Sequence, residues 1–214
     1  MTNLITDILP LEDDPNYRVI FVNDLPELTV PRSTVEQLGL QLQQQWTTEL
    51  AQTVQSFEDI ENARGMALGL ISMKAWGTDE LSARLVKRGI DKNVAAITTQ
   101  QLHEDGWLDD LTYAMARIRE WTRIEPASRT WLQKKLQERL LSHETIAAAI
   151  EEELGDRSEQ DAATTLAAIR IAKVAGLDEP TTRRRVISAL SRRGFPTDVG
   201  SEALRRAQAE NTSG

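Results

Sequence analysis

Two adjacent carboxylates, Asp109 and Asp110, two histidines, His103 and His143, and a run of three arginines, Arg183, Arg184 and Arg185, are the side chains whose types and spacing invite a chemical reading. Paired carboxylates can share a proton, but neighbours on a helix point about 100° apart and do not face each other. Asp109 is therefore read as the N-cap, and Asp110 as a first-turn carboxylate, of a helix over about 109–124. The histidines fall in separate helical segments without the His-x-x-x-His spacing of a metal pair. The chain has no cysteine, which excludes a disulfide framework, a thiolate metal site and a thiol nucleophile. No P-loop and no Gly-x-Ser-x-Gly elbow occurs. The expectation is a protein that is not an enzyme, with no catalytic, cofactor-binding or metal-binding residue and no small-molecule substrate.

The arginines are the better functional candidates. On a helical wheel over 179–192, Val186, Ile187 and Leu190 share one face; Arg184, Arg185 and Arg192 fall opposite, and Arg183 falls beside the apolar stripe. Arg183 is accordingly expected to be structural or snorkelling, and the other three to face a partner, with Arg193 at the following corner. Lys134 and Lys135 point away from Leu132, Leu136 and Leu140 and form a second basic candidate, with Lys134 able to pair with Glu138. The net charge of −8 argues against a simple nucleic-acid binder. Its distribution softens that objection: residues 1–60 hold ten acidic side chains against Arg18 and Arg32, and the remainder is balanced.

The elements that must position these groups change type along the chain. Residues 16–23 are a β-branched and aromatic run between turn formers, flanked by plausible strands at 4–9 and 27–30; so small a sheet must pack on something. From Arg32 the helical period takes over, with short elements at about 32–38 and 47–54 and a helix from about 57 to 75. Oxygen-bearing caps recur at Thr78, Asp91, Ser142, Ser158 and Thr197, and stops recur at Gly77, Gly89, Gly106, Gly155, Gly176 and Gly194. The N-terminus does not read as a signal peptide, and no apolar run approaches the roughly 20 residues of a membrane span, so the expected address is cytoplasmic.

An internal repeat organises the helical part. A helix ends in Leu-x-x-Arg, a tight corner and one apolar residue follow, and a capping residue starts the next helix. This happens from Leu85, from Leu136 and from Leu190, with Ile90, Leu141 (or Leu140) and Phe195 as the apolar plugs. Gly89 and Gly194 are expected at positive φ, closing their helices. The fold class is thus mainly α: three tandem three-helix repeats forming an elongated curved body, with a small N-terminal β appendage. The expected divisions are 1–56 as the β-rich segment, 57–107, 108–156 and 157–210 as the three units, and 211–214 as a disordered tail.

Between the first two units lies Gly106-Trp107-Leu108-Asp109-Asp110-Leu111-Thr112-Tyr113-Ala114, which resembles the signature of the RecX family of RecA regulators. The segment from Asp79 to Ile90 resembles the family's first-unit helix and corner, and Arg192-Arg193-Gly194-Phe195-Pro196 resembles its closing motif, so the likeness covers nearly the whole chain. The chain departs at Leu140, where relatives usually have glycine, and before Thr78, where paired arginines are common. Trp107 and Tyr113 are read as packing residues, and Leu111, Ala114, Met115, Ile118 and Trp121 as a core stripe. The resemblance implies binding to the RecA–DNA filament and inhibition of its ATPase, recombinase and co-protease activities. It places the chain in homologous recombination, DNA repair and the SOS response, with single-stranded DNA inside the filament as a further candidate partner. The alternative is a helical repeat protein that binds nucleic acid directly.

Overall fold

A computed structural model of the chain describes residues 2–212. Its order is three strands, then helices (among the described residues, ten). The strands β1 (Ile5–Pro10), β2 (Tyr17–Val22) and β3 (Leu25–Pro31) form an antiparallel meander. Asn23 and Asp24 join β2 to β3 with φ of 51° and 65°, the two positive values that a tight hairpin turn needs and that Asn and Asp tolerate. Helix α1 (Arg32–Gln37) is short, and α2 (Thr48–Ile71) begins where Thr47 accepts a hydrogen bond from the Leu50 N–H. The sheet buries Ile5, Ile20, Val22 and Val30 against Leu40, Trp46 and Val54, which is the packing so small a sheet requires.

Helix α2 is one continuous rod of 24 residues, not the two pieces expected at 47–54 and 57–75. No Gly or Pro lies between Thr48 and Asn62 to interrupt it, and the rod closes at Ser72. Then follow α3 (Thr78–Val86), α4 (Lys92–Glu104), α5 (Asp110–Ile124), α6 (Arg129–Gln137), α7 (His143–Leu154), α8 (Glu159–Lys173), α9 (Glu179–Arg192) and α10 (Thr197–Thr212). Helix α10 runs through residues 211 and 212, where a disordered tail was expected; 213 and 214 lie outside the described residues. Contacts divide the chain into two compact units, residues 1–73 with 82–102, and residues 74–81 with 103–214. Within the second, α5–α7 enclose one core around Ile118, Leu132, Leu136 and Ile146. Helices α8–α10 enclose another around Leu166, Val186, Leu190, Phe195 and Leu204. Ser142 and Ser158 each accept a backbone N–H three residues on, as their place in the sequence suggests, and Ser128 and Asp178, not singled out there, do the same.

The corners share one hydrogen-bond pattern. The N–H groups of Ile90, Leu141 and Phe195 donate to the carbonyls of Leu85, Leu136 and Leu190, at 3.2, 3.5 and 3.1 Å. This is the long bond of a Schellman turn, which requires a left-handed residue just before the plug. Gly89 and Gly194 supply it, with φ of 94° and 81°, and Leu140 supplies it at 63°. Leu141 is therefore the plug, buried, while Leu140 stands half exposed. Gly77 does not act as a stop: it has no positive φ, and its carbonyl accepts the Leu81 N–H at the head of α3.

Candidate functional site

The motif around the two carboxylates is architectural. Gly106, at φ 79°, ends α4, and the His103 ring Nδ1 lies 3.1 Å from the Leu108 carbonyl across that turn. Asp109 accepts the Thr112 N–H at 2.9 Å and its hydroxyl at 2.7 Å, which holds its carboxyl below the ordinary range. Asp110 turns elsewhere and accepts from the Thr78 N–H at 2.7 Å. The two carboxylates thus cap different helices and share no proton. Tyr113 is buried beside Ala114, and its hydroxyl donates to Glu80 at 2.6 Å. Burial, then the Glu80 carboxylate, pushes its phenol up to about 12. Arg139 completes the group at 2.7 Å from Glu80. Burial alone would raise the Glu80 carboxyl, but the Tyr113 hydroxyl and Arg139 outweigh it and hold it low. Two packing expectations fail here. Trp107 is 55% exposed, because the turn that ends at Asp109 carries it outward while Leu108 goes into the core, and Leu111, in the first turn of α5, is 39% exposed.

The candidate interface lies between α8 and α9. Val186, Ala189 and Leu190 pack inward from α9, so Arg184, Arg185, Ser188 and Arg192 face out. They meet Arg170 and Lys173 from the last turn of α8 around a groove of about 420 Å³. Its apolar part is Val174, Val186 and Ala189. Three of the arginines expected to face a partner therefore come together, joined by two cations that reasoning on α9 alone missed. The signal for those two was present: Arg170 and Lys173 sit three apart and so share a face of the preceding helix.

The other basic candidates separate from this groove. Arg193 turns inward: its guanidinium lies 4.7 Å from the Trp131 ring centre and 3.6 Å from Glu125, and its side chain is 16% exposed. Lys135, not Lys134, pairs with Glu138, at 2.6 Å. Lys134 is exposed. Arg183 is also exposed, against the expectation of a structural role, since Ile187 beside it is only half buried.

Glu125 links the groove to the rest of the second unit. It follows α5 in extended backbone, φ −154°, and is 9% exposed. Its carboxylate lies 2.5 Å from Arg170, 3.4 Å from Lys173 and 3.6 Å from Arg193. Burial would raise this carboxyl; Arg170 and Lys173 prevail and hold it below its ordinary range. A larger cavity of about 810 Å³ lies along α5, α7 and α8, where acids and bases alternate and partly pair, as in Arg119 with Glu153 at 2.5 Å. Among the described residues no cluster of three or more His, Asp or Glu is placed to hold a metal ion, and no helix is long and apolar enough to cross a membrane.

Fold and site together define a mainly helical protein with a small N-terminal sheet and a cationic interhelical groove. No family model matches the chain, but individual proteins do. The chain is 34% identical over 143 residues to a regulatory protein RecX of Stenotrophomonas maltophilia, a match spanning 66% of this chain and 82% of that protein. It is 26% identical over 159 residues to one from Amycolatopsis mediterranei, covering 72% and 90%. A crystal structure of a regulatory protein RecX superposes with a TM-score of 0.72 at 15% identity, over 95% of this chain and 99% of that one. The chain belongs to the RecX family.

Proposed function

We propose that this chain is a cytoplasmic regulator that binds the RecA–DNA filament and inhibits its ATPase, recombinase and co-protease activities, and that it acts without catalysis of its own. Family membership supports the regulatory role. The observation that carries the binding reading is the exposed set Arg184, Arg185 and Arg192, gathered on one groove of α9 opposite its core stripe. Arginines so placed meet acidic protein surface or phosphate equally well. We further propose that residues 57–107, 108–156 and 157–210 are three successive three-helix units, a reading supported by the hydrogen-bond pattern common to the three corners.

The test is RecA ATP hydrolysis on single-stranded DNA. The wild-type chain at near-stoichiometric amounts should suppress it. A variant carrying Arg184→Glu, Arg185→Glu and Arg192→Glu should suppress far less while its melting temperature barely moves, since exposed charges contribute little stability. An unchanged hydrolysis rate at large excess of wild type, with filaments present, rejects the reading.

A further inference from the structure

We propose that the α8–α9 groove is a docking site for an acidic polypeptide segment, and that Glu125 is an internal carboxylate that holds part of it until such a segment arrives. This rests on the reading of α9 as partner-facing and names the chemistry that the face accepts. Five cations, Arg170, Lys173, Arg184, Arg185 and Arg192, line the groove. The anion they hold in this structure is a carboxylate, that of Glu125, shared by Arg170 and Lys173. The Arg170 Nε is buried without a hydrogen-bond partner, so the guanidinium nearest Glu125 keeps an unused donor. Arg184 and Arg185 form no ion pair within 4.0 Å among the described residues, and Arg192 spends one donor on the Ser188 hydroxyl at 2.6 Å.

The surroundings favour a short acidic peptide over a nucleic acid. Asp178 and Glu179 stand at the head of α9, and Asp178 is close enough to Arg184 for that guanidinium to help hold its carboxyl low, after the Thr181 hydrogen bonds. A long phosphate backbone running along α9 would lie beside these acids. A short acidic segment brings fewer charges past these acids than a polyphosphate would, and the half-buried Val174 offers its apolar atoms a contact. Incoming carboxylates take Arg184, Arg185 and Arg192 outright and compete with Glu125 for Arg170 and Lys173.

The experiment is fluorescence anisotropy of a labelled hexaglutamate peptide titrated with the full chain, beside an oligothymidylate of equal charge. Saturable peptide binding is expected. Arg184→Gln with Arg185→Gln should weaken it about tenfold, or about 1.4 kcal/mol, and Glu125→Gln should tighten it by removing the competitor. Should Glu125→Gln fail to fold, Lys173→Gln replaces it and must weaken binding. No peptide binding, unchanged affinity in the arginine variant or in whichever second variant is used, or tighter binding of the oligothymidylate through these residues overturns the proposal. Filament binding by the same variants separates the two readings. If filaments are bound but hexaglutamate is not, the docking site falls and the regulatory reading stands; if hexaglutamate is bound but filaments are not, the reverse holds.

Discussion

The corner at Leu140 and the corner at Gly194 close their helices with the same hydrogen bonds, yet the first meets the head of α3 and the second the head of α6 by different means. At Gly194 the backbone itself makes the approach. The Ser128 N–H donates to the Arg193 carbonyl at 3.0 Å, and a Cβ built on Gly194 would lie 2.4 Å from Ser128 Oγ and 2.8 Å from Trp131 Cβ. At Leu140 the corner carries a side chain, and the small residue sits across the contact. A Cβ on Gly77 would lie 3.3 Å from Leu141 Cδ2 and 3.4 Å from Tyr113 Cε1. Gly77 and Ser128 occupy the same position, just before the first turn of α3 and of α6. Close approach needs one side to give up its side chain, and the two corners give it up on opposite sides. Each is then tied by an arginine three residues after its leucine, Arg139 to Glu80 and Arg193 to Glu125.

The largest effect should come from filling the tight corner. Gly194→Val forces a β-branched residue into φ 81° and drives its Cβ into Ser128 and Trp131. We expect a loss of about 3 kcal/mol or more, combining left-handed strain with overpacking. Gly89→Val meets nothing within 4 Å, so it bears only the strain, about 1–2 kcal/mol. Urea denaturation of both variants measures the difference. Equal losses would mean that the backbone approach at Gly194 contributes no stability, and the contrast between the corners would collapse.

The acidic ties come next. Glu125→Gln and Glu80→Gln each leave a partly buried arginine without its carboxylate and should cost about 1–2 kcal/mol at neutral pH. Both carboxyls are held below their ordinary value of about 4.5. Their contribution is therefore full above that pH and disappears as pH falls through the lowered folded values. The stability gap between wild type and each variant should be wide at pH 7 and narrow on acidification. Thermal melts from pH 7 to pH 3 check this, and a gap independent of pH would show that the charge on the carboxylate is immaterial.

Much of this was legible in the sequence where one local rule decides. The caps at Ser142 and Ser158, the turn after the 16–23 run and the positive φ of Gly89 and Gly194 each follow from a short stretch of residues. What the sequence hid depends on a second element. Trp107 looks like a core residue by type, and only the course of the turn before α5 puts it in solvent. Arg193 looks free on its own helix, and only Trp131 and Glu125 claim it. The groove is the same kind of case: a wheel on α9 finds Arg184, Arg185 and Arg192, but Arg170 and Lys173 join them because α8 lies alongside. The α2 rod was missed for a different reason, since its mixed polar stretch carries no strong apolar period to bind the two predicted pieces together.

The smallest expected effect has the opposite sign and bears directly on the contrast between the corners. Leu140 holds φ 63° with a side chain that is 50% exposed, so its backbone is strained and its burial is modest. Left-handed backbone costs a residue with a Cβ about 1–2 kcal/mol that glycine does not incur. Glycine gives back part of this through the greater freedom of the unfolded chain, about 0.5–1 kcal/mol, and part through the lost apolar contact of half a leucine. Leu140→Gly should therefore stabilise the protein slightly, by no more than about 1 kcal/mol, and leave the Leu141 plug in place. The informative comparison is Leu140→Gly combined with Gly77→Ala. Gly77 has no positive φ, so an alanine there suffers only from the contacts at 3.3–3.4 Å with Leu141, Asp110 and Tyr113. If the corner with glycine at position 140 can shift to relieve them, the double variant will be more stable than the sum of the single changes predicts. Strict additivity in urea melts would show instead that the Leu140 turn and the Gly77 contact are independent.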